Sequence, residues 1–141
     1  MKMPIGTVLL SKNNNESLNQ TPHSTWNHLS IVVDSNNIVE SQMDQGVIKT
    51  SFKEYQKRDY TYIAIVPKDK EIGLKAAKKA ESLVGGKYKK LASAFRRLRK
   101  PELGENCVSI IRKAYADATG IDPKWKVPDD VLLSDLFVPL T

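Results

Sequence analysis

Only one of the 141 residues is cysteine and only two are histidine. A single thiol cannot close an internal disulfide, so the fold does not depend on an oxidising compartment for a covalent staple. His23, His28 and the distant Cys107 do not have the spacing of a zinc set, and the chain contains no glycine-rich phosphate loop. No metal and no cofactor is therefore expected. Long apolar runs are missing as well, since none approaches the roughly 20 residues that span a bilayer. The stretch from Met1 to Ser11 has one lysine, and Pro4 and Gly6 interrupt its apolar residues, so it reads as a first strand rather than a leader. The default expectation is a cytoplasmic protein, with release by lysis or by a dedicated secretion system left open.

The chain is short of negative charge: 16 acidic residues face 22 lysines and arginines, a formal net charge of +6. Lys87, Lys89, Lys90, Arg96, Arg97, Arg99 and Lys100 concentrate the excess. Such a cluster is either the solvated face of a helix or a docking surface for an anionic polymer or membrane. No specific nucleic acid is expected as a partner.

The length suits one domain covering residues 1–141, which buries about 68–70% of its unfolded surface at this size. Aliphatic and β-branched runs predict strands over Ile5–Ser11, Trp26–Val33, Ile38–Ser41, Val47–Thr50 and Tyr60–Val66, with the Asn-rich Lys12–Glu16 stretch as a loop. After Pro67 the spacing becomes helical. Asp69 is a candidate N-cap for a helix that buries Ile72, Ala76, Ala80 and Leu83 and stops at Gly85-Gly86. Leu91–Lys100 reads as a second helix ended by Pro101. A third starts near Asn106, buries Val108, Ile111, Tyr115 and Ala118, and ends at Gly120. Asp129 or Asp130 would cap a last turn at Val131-Leu132-Leu133. Strands first and helices after, without βαβ alternation, predict an α+β domain: an antiparallel sheet from the N-terminal half with helices from the C-terminal half packed on one side.

Chemistry concentrates at Cys107, read as opening the third helix. There the macrodipole and unpaired amides favour the thiolate, the reactive form of cysteine. A nucleophilic cysteine needs a base. His28 opens the apolar run Trp26-Asn27-His28-Leu29-Ser30-Ile31-Val32-Val33 on a rigid strand, whereas His23 sits among turn formers. The following strand, Ile38-Val39-Glu40-Ser41, brings a carboxylate alongside His28 if the two pair as a hairpin, and such a carboxylate sets the imidazole tautomer. Ser41, Gln42 and Asp34 are alternatives to Glu40. Cys107 also suits a small buried apolar position, and His28 a satisfied core site.

The His28 strand resembles the histidine strand of the circularly permuted NlpC-type papain-like cysteine hydrolases, in particular the YiiX-like branch, a distant relative of lecithin retinol acyltransferase. Pro4-Ile5-Gly6-Thr7-Val8-Leu9-Leu10 is similar to that branch's opening strand, with Thr7 where an acidic residue is common. Ile38-Val39-Glu40-Ser41 is similar to its acidic strand, and Gly86-Lys87-Tyr88 to a glycine and tyrosine element between its helices. Glu105-Asn106-Cys107-Val108-Ser109-Ile110 resembles its cysteine helix, where Cys-Ser-Glu is commoner. Val127-Pro128-Asp129-Asp130-Val131-Leu132 resembles its closing segment. The resemblance implies a permuted papain-like fold and a thiol hydrolase working through a thioester. Cys107 would be the nucleophile, His28 the general base and then acid, Glu40 the orienter, and the Cys107 amide an oxyanion donor. Tyr88, Trp26 and Asn27 are candidate substrate-lining residues.

The expected substrate is an amide in a peptide, such as the peptide stem of the bacterial cell wall. Two alternatives stand beside it. One is a lipid acyl hydrolase or acyltransferase; the other is a non-catalytic basic adaptor that binds a polyanion.

Overall fold

The computed structural model describes residues 2–14, 25–42, 45–85 and 103–140. Five segments form strands close to where their aliphatic and β-branched runs predict them, the first two starting later than Ile5 and Trp26: β1 (Val8–Asn13), β2 (His28–Val32), β3 (Asn37–Gln42), β4 (Gly46–Ser51) and β5 (Tyr60–Pro67). A sixth, β6 (Phe137–Pro139), comes from the other end of the sequence and pairs with β5 through Val66↔Val138. The sheet order is β4-β3-β2-β1-β5-β6, and every neighbouring pair is antiparallel.

Among the described residues four helices complete an α+β architecture: α1 (Phe52–Gln56), α2 (Lys70–Ser82), α3 (Leu103–Thr119) and α4 (Pro128–Leu132). Side chains alternate across a strand, so the register divides the sheet into two faces. Val8, Leu10, Leu29, Ile31 and Val39 point into the main core, where they meet Ala76, Ala77 and Ala80 of α2 and Val108, Ile110, Ile111 and Tyr115 of α3. Each such aliphatic side chain contributes about 1.5–3 kcal/mol on full burial, so this face dominates stability. Leu9, Val32 and Ile38 point the other way, into a smaller cluster with Phe52 and Tyr55 of α1.

Two expectations are thereby corrected. The sheet is not confined to the N-terminal half, because three C-terminal residues extend its β5 edge. The helices are not all on one side, because α1 seals the face opposite α2 and α3. Its signal is Ser51-Phe52-Lys53-Glu54: the Ser51 hydroxyl accepts from the Glu54 amide at 3.1 Å and starts the helix. The loop predicted from Lys12 also starts later, since Lys12 and Asn13 pair with Thr61 and Tyr60.

The helix ends follow their capping residues. Asp69 accepts from the amides of Glu71 and Ile72, as its position predicts. Gly120, at φ +78°, follows the last residue of α3. The start of β1 depends on a close approach. Gly6 has φ +94°, and a Cβ on it would lie 2.5 Å from the Gly73 Cα in α2. The Tyr115 hydroxyl then donates to the Gly6 carbonyl at 2.5 Å and ties α3 to the same point. The helix predicted over Leu91–Lys100, the basic cluster from Lys87 to Lys100, Tyr88 and His23 lie outside the described residues.

Candidate active site

His28 is the first residue of β2, and the chain leading into it is held by backbone groups. The amides of Thr25 and Trp26 donate to the two carboxylate oxygens of Asp129, at 2.9 and 3.1 Å, and the Asn27 amide donates to the Ser11 carbonyl at 3.0 Å. Asp129 is fixed in turn by α4, where Pro128 occupies the first turn and Asp130 accepts from the amides of Lys126 and Val127. The Val127-Pro128-Asp129-Asp130 segment therefore anchors the histidine strand.

The pairing Ser30↔Glu40 places Glu40 on the same sheet face as His28, one step along the diagonal. His28 Nε2 lies 2.8 Å from Glu40 Oε1. Glu40 is 1% exposed, and a carboxylate so deeply buried is stable only if its oxygens are fully engaged. Three more side chains do this. Arg58 forms a bidentate pair, Nη1 to Oε1 and Nη2 to Oε2, both at 2.7 Å. Thr50 Oγ1 donates to Oε2 at 2.6 Å, and Gln42 Nε2 to Oε1 at 3.0 Å. Burial alone would raise the Glu40 carboxyl, but the hydrogen bonds from His28, Arg58 and Thr50 outweigh it and hold the group well below the usual carboxylate range. Glu40 is thus ionised, and the nitrogen facing it, Nε2, is the one that carries a proton.

Cys107 approaches from the other side of the sheet. It lies on α3, 2% exposed in the main core, and its thiol hydrogen-bonds the His28 ring. Because His28 is the terminal residue of its strand, the ring reaches past the strand end to the helix. Nε2 is taken by Glu40, which leaves Nδ1 for the sulfur. Burial works to lower the imidazole pKa, but the ring's hydrogen bonds to Cys107 and Glu40, with the charge attraction between them, raise it to about 9. At neutral pH the ring is an imidazolium that donates to the carboxylate through Nε2–H and to the sulfur through Nδ1–H.

The structure therefore brings together Cys107, His28 and Glu40 and separates the alternatives. Asp34 sits beyond the far end of β2, bonded to the Asn36 amide and the Asn37 side chain. Gln42 supports Glu40 instead of replacing it, and Ser41 points to the opposite face from Glu40. Trp26 is half-buried against the main core, and Asn27 is half-buried beside it. The placement of Cys107 within its helix needs correction. α3 starts at Leu103, so Cys107 lies in the second turn and not at the opening. An amide at that depth belongs to the helix's own i→i−4 ladder, and the macrodipole acts mainly within the first turn. Neither the expected oxyanion contact of that amide nor the dipole argument survives, and the contact with His28 takes their place.

Arg58, Thr50 and Tyr60 escape the sequence reading. The central carbon of the Arg58 guanidinium lies 5.5 Å from the centres of both the Tyr55 and Tyr60 rings, which stand nearly perpendicular to each other, and Tyr60 lies 6.1 Å from the His28 ring. In sequence Arg58 belongs to Lys57-Arg58-Asp59, a polar turn like many others. The available signal was the α1 capping pattern, which predicts a helix ending just before Arg58 and hence a turn packed on the sheet.

Among the described residues no group of three or more His, Cys, Asp or Glu is arranged to hold a metal ion, and no helix is long and apolar enough to cross a membrane. Compared with models of protein families, with curated proteins and with solved structures, the chain matches none.

Proposed function

We propose that this chain is a thiol hydrolase of the permuted NlpC-type papain-like class, cleaving an amide in a peptide or in the peptide stem of a bacterial cell wall. One observation carries the reading: a single imidazole is joined to a buried thiol on one side and to a buried, ionised carboxylate on the other. Nucleophile, base and orienter in that order form the arrangement that acyl transfer through cysteine requires.

In the proposed reaction His28 holds the proton that Cys107 gives up, and the sulfur attacks the carbonyl carbon. The new C–S bond forms a tetrahedral oxyanion. As it collapses, the C–N bond breaks and the leaving amine takes the proton from His28, now acting as general acid. A thioester on Cys107 remains. Water, losing its proton to the neutral His28, attacks the thioester, and collapse releases the carboxylic acid and restores the thiol. Glu40 accepts the Nε2–H bond throughout, which keeps Nδ1 turned toward the sulfur.

The test is intact-mass detection of an acyl adduct after brief exposure to panels of peptide amides, cell-wall fragments and activated esters. A covalent acyl group on the native chain, absent in Cys107→Ala and trapped longer in His28→Ala, is the expected result. Turnover retained in Cys107→Ala would sink the proposal. Acyl transfer from phospholipid esters in anionic vesicles, with none from peptides, would move it to the lipid acyl branch. Salt-sensitive polyanion binding, indifferent to Cys107 and without any adduct, would favour a non-catalytic adaptor.

A further inference from the structure

Four elements converge on His28 besides its own strand: Glu40 of β3, Cys107 of α3, Tyr60 of β5, and Ser11 of β1, which is its register partner. Behind Glu40 stand Thr50 of β4 and Arg58, with Tyr55 of α1 beneath the guanidinium. Of these groups only Arg58 brings a cation. It does so through a planar fork that matches the carboxylate at 2.7 Å on both arms.

That placement raises a problem of charge. An unneutralised carboxylate against imidazolium holds the imidazole proton tightly, which favours the thiolate but makes His28 a poor acid toward a leaving amine. Papain-like enzymes avoid this with a neutral asparagine in the third position. Here the third residue is Glu40, and Arg58 sets a cation against both of its oxygens.

We propose that Arg58 is a positioning residue for the reaction, offsetting part of the charge of Glu40 so that the carboxylate orients His28 while holding its proton less tightly than it would unopposed. This rests on the hydrolase reading for its purpose but not for its physics. The planar fork reaches both oxygens of Glu40, and this geometry is beyond a lysine at the same position. The Arg58 side chain is 25% exposed, so it serves the buried Glu40 from the edge of the protein.

The decisive experiment follows the Cε1–H resonance of His28 by NMR against pH, assigned by its loss in His28→Gln, and needs no turnover. In Arg58→Met the His28 titration moves upward by about one pH unit or more, a tenfold rise in proton affinity. In Arg58→Met/Glu40→Gln, where both charges are gone, it falls back to the native value or below it. A merely structural role loosens the site without this reversal. An unmoved or lowered titration in folded Arg58→Met overturns the proposal.

Should that single variant fail to fold, Glu40→Gln is compared with the double variant. Both lack the carboxylate, and the unopposed Arg58 must hold the His28 titration lower in the former; equal values overturn the proposal. With an amide substrate, Arg58→Met should lose kcat at least tenfold while Cys107 alkylation continues, because only the proton donation is impaired. A shifted titration in a chain that never turns over an acyl substrate would leave the charge role of Arg58 standing and remove the hydrolase reading alone.

Discussion

Two arginine–carboxylate pairs in this protein have the same contact distances and opposite surroundings. Arg58 grips Glu40 and Arg112 grips Asp122, each through two contacts of 2.7 Å. The Glu40 side chain is fully buried, whereas that of Asp122 is 48% exposed. In water such a pair exchanges one set of strong solvent contacts for another, and screening leaves little net gain. Inside the sheet the same contacts must replace a whole hydration shell, and each partner depends on the other. The outer pair fastens α3 to the loop that follows it, with Arg112 also reaching the Trp125 carbonyl. The inner pair sets the electrostatics of a histidine. Identical contact distances thus carry different meaning, and burial decides which.

The sharpest way to break the comparison is to remove one carboxylate from each pair. Glu40→Ala should cost about 3–5 kcal/mol, read from the urea midpoint, because Arg58 and His28 are left without their counter-charge. Asp122→Ala lies at the other end of the scale below. If the two cost the same, burial is not what separates them.

A second separation is in pH. His28 has its folded pKa raised to about 9 from 6.5, so its contribution is complete below pH 6.5 and disappears as pH rises through 9. The Glu40 pKa is lowered from 4.5, so its contribution is complete above pH 4.5 and fades only as pH falls far below that. Stability should therefore be greatest between these limits. It should decline by about 3 kcal/mol on going to pH 10, because the folded chain then gives up the proton that it held more tightly than the unfolded chain does. In Glu40→Ala that alkaline decline should shrink, since one of the groups that raise His28 is gone. An unchanged urea midpoint from pH 6 to pH 10 in the native chain would contradict the His28 assignment.

Thr50→Val is close to isosteric and deletes only the 2.6 Å hydroxyl bond to Glu40. A hydrogen bond to a charged group is worth about 1.5–3 kcal/mol, and the loss should fall in that range by the same denaturation assay. The smallest effect is expected for Asp122→Ala and for Arg112→Gln, each leaving the urea midpoint within experimental error. A large loss at either would show that the outer pair fastens more than a loop.

Much of the fold was legible in the chain. The strand of His28 showed in its β-branched run, and α2 showed in Asp69, the Ala76 and Ala80 spacing and the glycines that follow. These signals are local, because strand alternation and capping depend on neighbours a few residues away. α1 escaped because five residues offer no periodicity, and β6 because it is only three residues long and ends in a proline. Cys107 and His28 were identifiable by residue type, and Glu40 by its place on the next strand. That Gln42 is a support and Asp34 remote required the register, since adjacent residues on a strand point to opposite faces. Arg58 had no sequence cue of its own: its role exists only once α1 folds its turn back over β3.

The amino-acid sequence by itself determined where the β2 and β3 strands and the α2 helix form, and which side chains carry reactive chemistry. Alternation, capping and side-chain acidity are properties of short segments. Only the tertiary structure decided that the thiol of α3 meets a histidine based on the opposite face of the sheet, and that the carboxylate behind it is paired with Arg58. Those contacts join residues far apart in the chain, and the burial that gives them their energy does not exist until the sheet has closed between its helices.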